Sequence, residues 1–354
     1  MKTKKGRILL YLSLMFGFGA FLVVSFFSLR AELISWSERE HPLESPVLVE
    51  FPRATSLEEL SSSLKSTGLL DSALLFRLWV RFYSDYPKFQ AGSYRFLDSA
   101  SPREIAAAMI KGDVYTPVVF QYTIPEGFTL KNVVKKLVAR GVGTGGEFEA
   151  LLADKTFLKS LGLSGRGLEG YLYPATYTFS EFPSPREALS EAVRVFWKEL
   201  PEDYEARVEK LGLSLHKAVI FASLIELETP HDDERNHVSE VIWRRLKRKI
   251  PLAIDSTLIY GIEDYRGNIT RKHLRDAGNK YNSRIHRGLP PTPISSPSIA
   301  SLLAVLTPSD KGYLYFVVDA DSGDSRHHFS RSVKEHNRYV RKLVAAGRRA
   351  RKAK

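Results

Sequence analysis

The sequence contains no cysteine. This absence excludes disulfide bonds, thiolate metal sites and a cysteine nucleophile, and it is compatible with an oxidising compartment. Histidine does not supply a metal site instead, because the adjacent His327 and His328 would point to opposite faces of a strand. A serine hydrolase is not favoured either, because Ser223 lies outside any Gly-x-Ser-x-Gly motif. We therefore expect no metal site.

Acidic residues are missing from both ends of the chain. The net charge is +12, and basic residues at the two ends account for eleven of these charges. They are Lys2, Lys4, Lys5 and Arg7 at the start, and Arg341, Lys342, Arg348, Arg349, Arg351, Lys352 and Lys354 at the end. The body between them is nearly neutral and carries no nucleic-acid-binding motif, so nucleic acid is not an expected partner.

One apolar segment is long enough to cross a membrane. Residues 8–29 carry no charge, and at about 1.5 Å per residue they would span a hydrocarbon core of roughly 30 Å. The basic residues before this segment would keep residues 1–7 in the cytoplasm. A cleaved signal peptide is the alternative, although its apolar core is usually shorter. Both interpretations place the rest of the chain outside the cytoplasm.

The exported part contains a faint internal repeat. Residues 51–57 and 124–130 both combine proline, a turn and a Ser or Thr that can cap a following amphipathic helix. The pattern predicts a small mixed α/β module that is duplicated, or else two unrelated strand-to-helix units. Further helices are predicted over 74–79 and over 102–111, the latter capped by Ser101.

The segment with the most chemical interest is a predicted helix over residues 215–229, capped by Ser214 and ended by Pro230. Two acids, Glu226 and Glu228, lie in its apolar last turn. Helical spacing places Glu228 beside Phe221, Leu224 and Ile225, and places Glu226 about 200° away. An apolar wall and the negative end of the helix dipole should raise a carboxyl pKa, as a general acid requires near neutral pH. The alternative is an exposed helix end whose acids pair with arginines.

The same helix carries a recognisable motif, because ASLIELET at 222–229 resembles the signature of the endolytic murein transglycosylases, also called YceG-like proteins. Other blocks agree in order and spacing: IPEG at 124–127, LEGYLYP at 168–174, ER at 234–235, VIWRRL at 241–246, DSTLIYG at 255–261, YN at 281–282, GLPP at 288–291, YLYFV at 313–317 and EHN at 335–337. The resemblance extends to residue 337 and is specific as a set.

The resemblance implies an α+β fold with an N-terminal transmembrane helix, a small LysM-like α/β module and a mixed α/β catalytic domain. The predicted boundaries are 1–7 for the cytoplasmic end, 8–29 for the transmembrane helix, 48–164 for the LysM-like part, 165–342 for the catalytic domain and 343–354 for a basic tail. Residues 30–47 are predicted to be a linker, because the stretch 41–46 contains two prolines. Peptidoglycan glycan strands are the implied substrate at the inner (plasma) membrane, and peptidoglycan synthases are candidate partners.

The catalytic glutamate of this family corresponds to Glu228. The resemblance implies that Glu228 protonates the glycosidic oxygen between N-acetylmuramic acid and N-acetylglucosamine. It then acts as base while the muramyl C6 hydroxyl attacks its own anomeric carbon, which leaves a 1,6-anhydro end. This chemistry needs no water, metal or cofactor, and it differs from the two-carboxylate pattern of most glycosidases.

The remaining candidate site residues have supporting or substrate-binding roles. They are Glu169, Glu226, Asp255, Ser256, Thr257, Tyr260, Tyr281, Asn282 and Asn337. Asp255 could orient a sugar hydroxyl or help to position Glu228, or it could cap a helix over 256–262. Tyr260, Tyr281 and Asn282 suit sugar recognition, but aromatic side chains more often belong to a core.

Several residues depart from the usual family pattern, mostly near the expected cleft. Ala253 replaces a glutamine, Ser256 a proline, Ala175 an aspartate and Thr292 a glycine. Because of these changes, a second function stays an alternative, namely a glycan-binding scaffold of cell-wall assembly with weak or no activity. A third alternative is a hydrolase in which Asp255 or Glu226 activates water.

Overall fold

The computed structural model describes the backbone of residues 2–352 and the side chains of residues 14–349. The basic side chains predicted to precede the anchor lie outside the described residues, as do Arg351, Lys352 and Lys354 of the basic tail. The chain divides into two compact units, residues 1–117 and 118–354. Both mix helices with short antiparallel strand pairs, so the expectation of a mixed helix-and-strand protein is confirmed.

The first unit begins with a long helix. In order its α-helices and strands are α1 (Lys2–Ser37), β1 (His41–Pro42), β2 (Val47–Phe51), α2 (Leu57–Ser66), α3 (Ala73–Tyr83), β3 (Gly92–Phe96), β4 (Ser99–Ala100) and α4 (Pro102–Lys111), and a short 3-10 helix at Tyr86–Lys88 follows α3. The part of α1 from Leu14 to Ser37 is long and apolar enough to cross a membrane, although a signal sequence would meet the same criteria. Ser101 caps α4 as predicted, with Glu104 completing a capping box.

The predicted linker, residues 30–47, is instead part of this folded unit. Helix α1 continues to Ser37, and Trp36 is buried in the hydrophobic core of the unit. The indole of Trp36 donates a 2.8 Å hydrogen bond to Asp71, and β1 pairs with β4. Burial of the tryptophan explains the difference, because proline content alone does not reveal a tertiary contact.

The second unit holds the remaining elements. These are β5 (Phe120–Thr123), α5 (Leu130–Ala139), α6 (Gly145–Ala153), α7 (Lys155–Ser160), β6 (Thr176–Phe179), α8 (Pro185–Glu199), α9 (Tyr204–Lys210), α10 (Leu215–Glu228), α11 (Asp232–Lys247), α12 (Asp255–Tyr260), α13 (Arg271–Leu274), α14 (Ile299–Leu306), β7 (Tyr315–Val318), β8 (His327–Ser330) and α15 (Val333–Lys352). Helix α10 is buried along most of its length and packs against α9, α11, α12 and α14.

The internal repeat is visible as two strand-to-helix segments, β2–α2 and β5–α5. Ser56 and Thr129 cap the two helices, as the sequence predicted. The second copy pairs β5 with β6 and shares the core of the second unit. The division after Pro117 therefore differs from the predicted boundary between 164 and 165, because residues 118–164 bury their apolar side chains with the rest of the second unit. The LysM likeness stays a prediction.

Candidate active site

Glu228 ends the buried helix α10. Ser214 caps the start of this helix, as the sequence predicted, whereas Thr229, predicted to be its last residue, lies just beyond its end. The Glu228 side chain is half-buried, and Ser256 donates a hydrogen bond of 2.8 Å to its Oε1 atom. Burial raises the pKa of Glu228 to about 7, the Ser256 hydrogen bond opposes that rise, and the charge of Asp255 adds to it. The raised pKa agrees with the prediction from helical spacing, and the role of Glu228 as a general acid stays a prediction.

Asp255 does not cap helix α12. Ile254 occupies the cap position, the helix begins at Asp255 itself, and it ends at Tyr260 rather than at residue 262. The Asp255 carboxylate is exposed and forms an ion pair with Arg284. The prediction of a helix cap is therefore wrong, because a cation close in space competes successfully for the carboxylate.

A second buried carboxyl lies at the other end of α12. The Tyr260 hydroxyl donates to Glu169 Oε2 over 2.8 Å, and the Leu130 backbone N–H donates to both Glu169 oxygens over 3.0 and 3.2 Å. Burial raises the pKa of Glu169 to about 7, against the lowering effect of these hydrogen bonds. Ser256 and Tyr260 lie about one turn apart on α12. One face of this short helix therefore donates hydrogen bonds to both Glu228 and Glu169.

Glu226 has a different environment from Glu228, although only one residue separates them. Its side chain is 4% exposed and lies 3.3 Å from the guanidinium of Arg235, which is itself 5% exposed. Glu226 Oε2 also accepts hydrogen bonds from the Ser298 backbone N–H at 2.7 Å and the Ser298 hydroxyl at 2.6 Å. Ser298 caps α14. Glu226 is thus buried and is held by an ion pair and two hydrogen bonds. It lies neither on an exposed helix end nor against a purely apolar surface.

The two candidate tyrosines lie together. The rings of Tyr260 and Tyr281 are 4.8 Å apart in an edge-to-face arrangement, and the Tyr281 hydroxyl forms a 2.8 Å hydrogen bond with Thr292. Thr292 and Ser256, two of the departures from the family pattern, therefore both contact predicted site residues.

The other candidates support loops or lie elsewhere. Thr257 is buried, and its hydroxyl contacts the Ile254 carbonyl and the Ser283 hydroxyl, each over 2.8 Å. Asn282 is buried, and its amide donates to backbone carbonyls of residues 273, 274 and 276. Asn337 is exposed on α15, which packs on β7 and β8. Sugar binding by Asn282 and Asn337 stays a prediction.

Two further residues shape the end of α10. Arg235 contacts Glu226 and also donates to the Ser301 hydroxyl over 2.7 Å. Glu234 accepts from Thr229 over 2.9 Å and from the His327 backbone over 2.8 Å, which ties α10 to β8. Sequence reasoning identified the ER block at 234–235 as a family motif but assigned neither residue to the site.

No cluster of three or more potential metal ligands occurs among the described residues. His327 and His328 lie on β8. His327 pairs with Glu234 and His328 with Glu335, so the two rings have different partners, as alternation along a strand predicts. Ser223 is buried, and its hydroxyl donates to the Ile220 carbonyl over 2.7 Å.

A half-buried carboxyl whose pKa burial raises to about 7 thus lies at the end of a buried helix, an environment suited to proton transfer. Residues 49–342 match the model of the YceG-like family, and the chain belongs to that family.

Similar proteins agree with this assignment. The chain is 28% identical to a protein named endolytic murein transglycosylase from Bacillus subtilis (strain 168), over 87% of each chain. It is 27% identical to a protein of the same name from Streptococcus pneumoniae, over 84% of this chain and 58% of that longer one. A crystal structure of a putative YceG-like protein from Listeria monocytogenes matches with a TM-score of 0.57 and 27% identity, over 84% of this chain and 99% of that one.

Proposed function

We propose that this protein is a lytic transglycosylase that cleaves peptidoglycan glycan strands, with Glu228 as its acid and base. The observation that supports the proposal is the half-buried carboxyl whose pKa is raised to about 7. A group that titrates near neutral pH can both deliver and retake a proton, which is the requirement for general acid–base catalysis. The names of the relatives from Bacillus and Streptococcus support the choice of substrate.

The proposed reaction uses Glu228 twice. The protonated carboxyl gives its proton to the oxygen between N-acetylmuramic acid and N-acetylglucosamine as the bond from that oxygen to the muramyl anomeric carbon breaks. The muramyl C6 hydroxyl then attacks this carbon, and the Glu228 carboxylate takes the hydroxyl proton. The products are a 1,6-anhydromuramyl end and a free N-acetylglucosamine hydroxyl, and the glutamate regains its starting state.

The surroundings of Glu228 favour one acid–base residue over a pair. Of the two acids considered as partners for a hydrolase, Glu226 is held by Arg235 and Ser298, and Asp255 is paired with Arg284. Both carboxylates thus already have a cationic partner, and Glu226 is also buried. Tyr260 and Tyr281 provide an aromatic surface on and beside α12 that suits the apolar faces of sugar rings.

Helix α1 would serve as a single-pass anchor, which places the site outside the cytoplasm at the inner membrane. The length and composition of Leu14–Ser37 support this part of the proposal, and the continuation of the same helix into the folded unit gives a direct connection to the membrane. Peptidoglycan synthases stay candidate partners in cell-wall assembly.

Product analysis tests the proposed reaction. The full-length chain, purified in detergent, is incubated with peptidoglycan, and the soluble fragments are examined by mass spectrometry. Anhydromuramyl ends released inside strands are the expected result. Reducing muramyl ends would show a hydrolase, and intact strands that still bind the protein would show a scaffold; either result would overturn the proposal.

A further inference from the structure

Helix α3 carries a row of exposed apolar side chains in the first unit. Leu74, Leu78 and Phe82 follow one another at intervals of four residues, and their side chains are 58%, 38% and 68% exposed. The four-residue spacing places them on one face of the helix. The opposite face contributes Phe76 and Val80 to the core of the unit. Contiguous exposed apolar side chains of this size mark an interaction surface.

The charges of α3 are of one sign. The helix contains Arg77 and Arg81 but no acidic residue. Arg81 is exposed, whereas Arg77 forms a 3.0 Å ion pair with Glu58 of α2. Both arginines lie beside the apolar row, each one position before a member of it. An apolar face flanked by basic residues is characteristic of helices that lie at a membrane surface, where arginines approach lipid phosphates.

Helix α3 runs back along the end of α1. Near the start of α3, Asp71 accepts the hydrogen bond from Trp36. At the other end of α3, the Arg30 guanidinium lies 5.8 Å from the centre of the Tyr83 ring. Residue 36 of α1 therefore lies beside the beginning of α3, and residue 30 lies beside its end. The two helices are antiparallel here, so the C-terminal end of α3 points toward the apolar part of α1.

The level of Phe82 along α1 follows from its neighbours. Phe82 and Tyr83 line a shared pocket with Phe26, Leu29, Arg30 and Leu33. Arg30 is the first charged residue after the uncharged segment 8–29, and such a residue marks the boundary between hydrocarbon and headgroups. Phe82 therefore lies at that boundary. Leu78 lies about 6 Å and Leu74 about 12 Å farther along α3 at 1.5 Å per residue.

We propose that the C-terminal half of α3 is embedded in the headgroup region of the lipid bilayer beside α1. Phe82 enters most deeply, Leu78 less so, and Leu74 stays above the surface. Arg81 lies at the level of lipid phosphates. The inference rests on retention of α1 as the anchor, and it goes beyond the proposed reaction because it fixes how the first unit stands on the membrane.

The absence of native cysteine makes the test direct. Single cysteines replace Phe82, Leu78 or Leu74 in the full chain, and Leu48, a 50% exposed side chain on β2, provides the matched control. Each variant is spin-labelled and reconstituted into vesicles of phosphatidylethanolamine and phosphatidylglycerol. Electron paramagnetic resonance then compares collisions of the label with oxygen, which concentrates in lipid, and with a nickel chelate, which stays in water. Intact mass and circular dichroism establish that each variant retains α1 and is folded.

The expected result is a gradient of depth. The oxygen-to-nickel ratio at Phe82 should exceed that at Leu48 by at least about threefold, with Leu78 intermediate and Leu74 close to the control. A ratio at Phe82 equal to that at Leu48 would overturn the inference while leaving the proposed reaction untouched. Dipolar broadening at Phe82 that disappears on dilution with unlabelled protein would also overturn it, because a second copy of the chain would then cover the face. Loss of α1 in the mass measurement would refute the anchor.

Discussion

The Ser256 hydroxyl donates a 2.8 Å hydrogen bond to the Oε1 atom of Glu228. Ser256 stands where the related pattern usually has proline, whose side chain cannot donate. Burial raises the Glu228 pKa, and the serine hydrogen bond opposes that rise by favouring the ionised form. A residue that departs from the family pattern therefore favours the ionised form of the proposed acid–base residue.

Replacing Ser256 by alanine should raise the Glu228 pKa further, because the hydrogen bond to the ionised form is lost. Cleavage requires the protonated acid in its first step, so the high-pH limb of the kcat/KM profile should move to higher pH. The profile is measured by release of anhydromuramyl ends. Ser256→Thr keeps the hydroxyl and should keep the limb in place. A limb that stays fixed or moves to lower pH in Ser256→Ala would refute the role of this hydrogen bond.

The two neighbouring glutamates should respond differently to loss of their charge. Glu228→Gln keeps the shape of the side chain but cannot transfer the proton, so activity should fall about 10²–10⁴-fold with little change in melting temperature. Glu226→Gln instead weakens the buried contacts to Arg235 and Ser298, and it should destabilise the fold by about 1–3 kcal/mol while activity survives at low temperature.

Anhydromuramyl product and thermal melting are measured on both of these variants side by side. The roles would have to be exchanged if Glu226→Gln abolished product without lowering the melting temperature and Glu228→Gln stayed active.

Local spacing was sufficient to predict helix α10 and a raised pKa for Glu228. Ser214, the run of apolar residues and Pro230 lie within seventeen positions, and a helix determines how side chains so close in sequence are arranged. The two helix caps of the internal repeat, Ser56 and Thr129, are equally local, and the structure confirms both.

The partners of these side chains could not be predicted in the same way. Glu226 meets Ser298, 72 positions away, and Asp255 meets Arg284, 29 positions away. Such contacts depend on tertiary packing, which spacing along the chain does not encode. The same reason accounts for residues 30–47, whose proline content indicated a linker although Trp36 is buried through its contact with Asp71.

Gly170 lies close to Pro293 in a backbone conformation that favours glycine. Its φ of +84° lies in the left-handed region, and an added Cβ would come within 2.5 Å of the Pro293 ring. Gly170→Ala should therefore destabilise the protein by roughly 2–4 kcal/mol. Gly267 has a similar φ of +90° but open space around it, so Gly267→Ala should cost only about 1 kcal/mol. Urea unfolding compares the two variants. Equal losses would show that contact with Pro293 contributes nothing.

The buried carboxyl of Glu169 should make stability depend on pH. Burial raises its pKa from 4.5 to about 7 in the folded protein. Between these values the folded state holds a proton that the unfolded state has released. The free energy of unfolding should therefore fall as pH rises from about 4.5 to 7, by up to about 3 kcal/mol, and level off above pH 7.

Glu169→Gln isolates this contribution, because the amide stays neutral and its oxygen can still accept from Leu130 and Tyr260. Urea unfolding is measured at pH 5 and pH 8 for the parent and this variant, and the difference between the two pH values should shrink in the variant. Glu228 titrates in the same window, so Glu228→Gln is measured alongside to separate the two carboxyls. An unchanged difference in Glu169→Gln would mean that Glu169 is already ionised in the folded protein at pH 5, and that its hydrogen bonds outweigh the effect of burial.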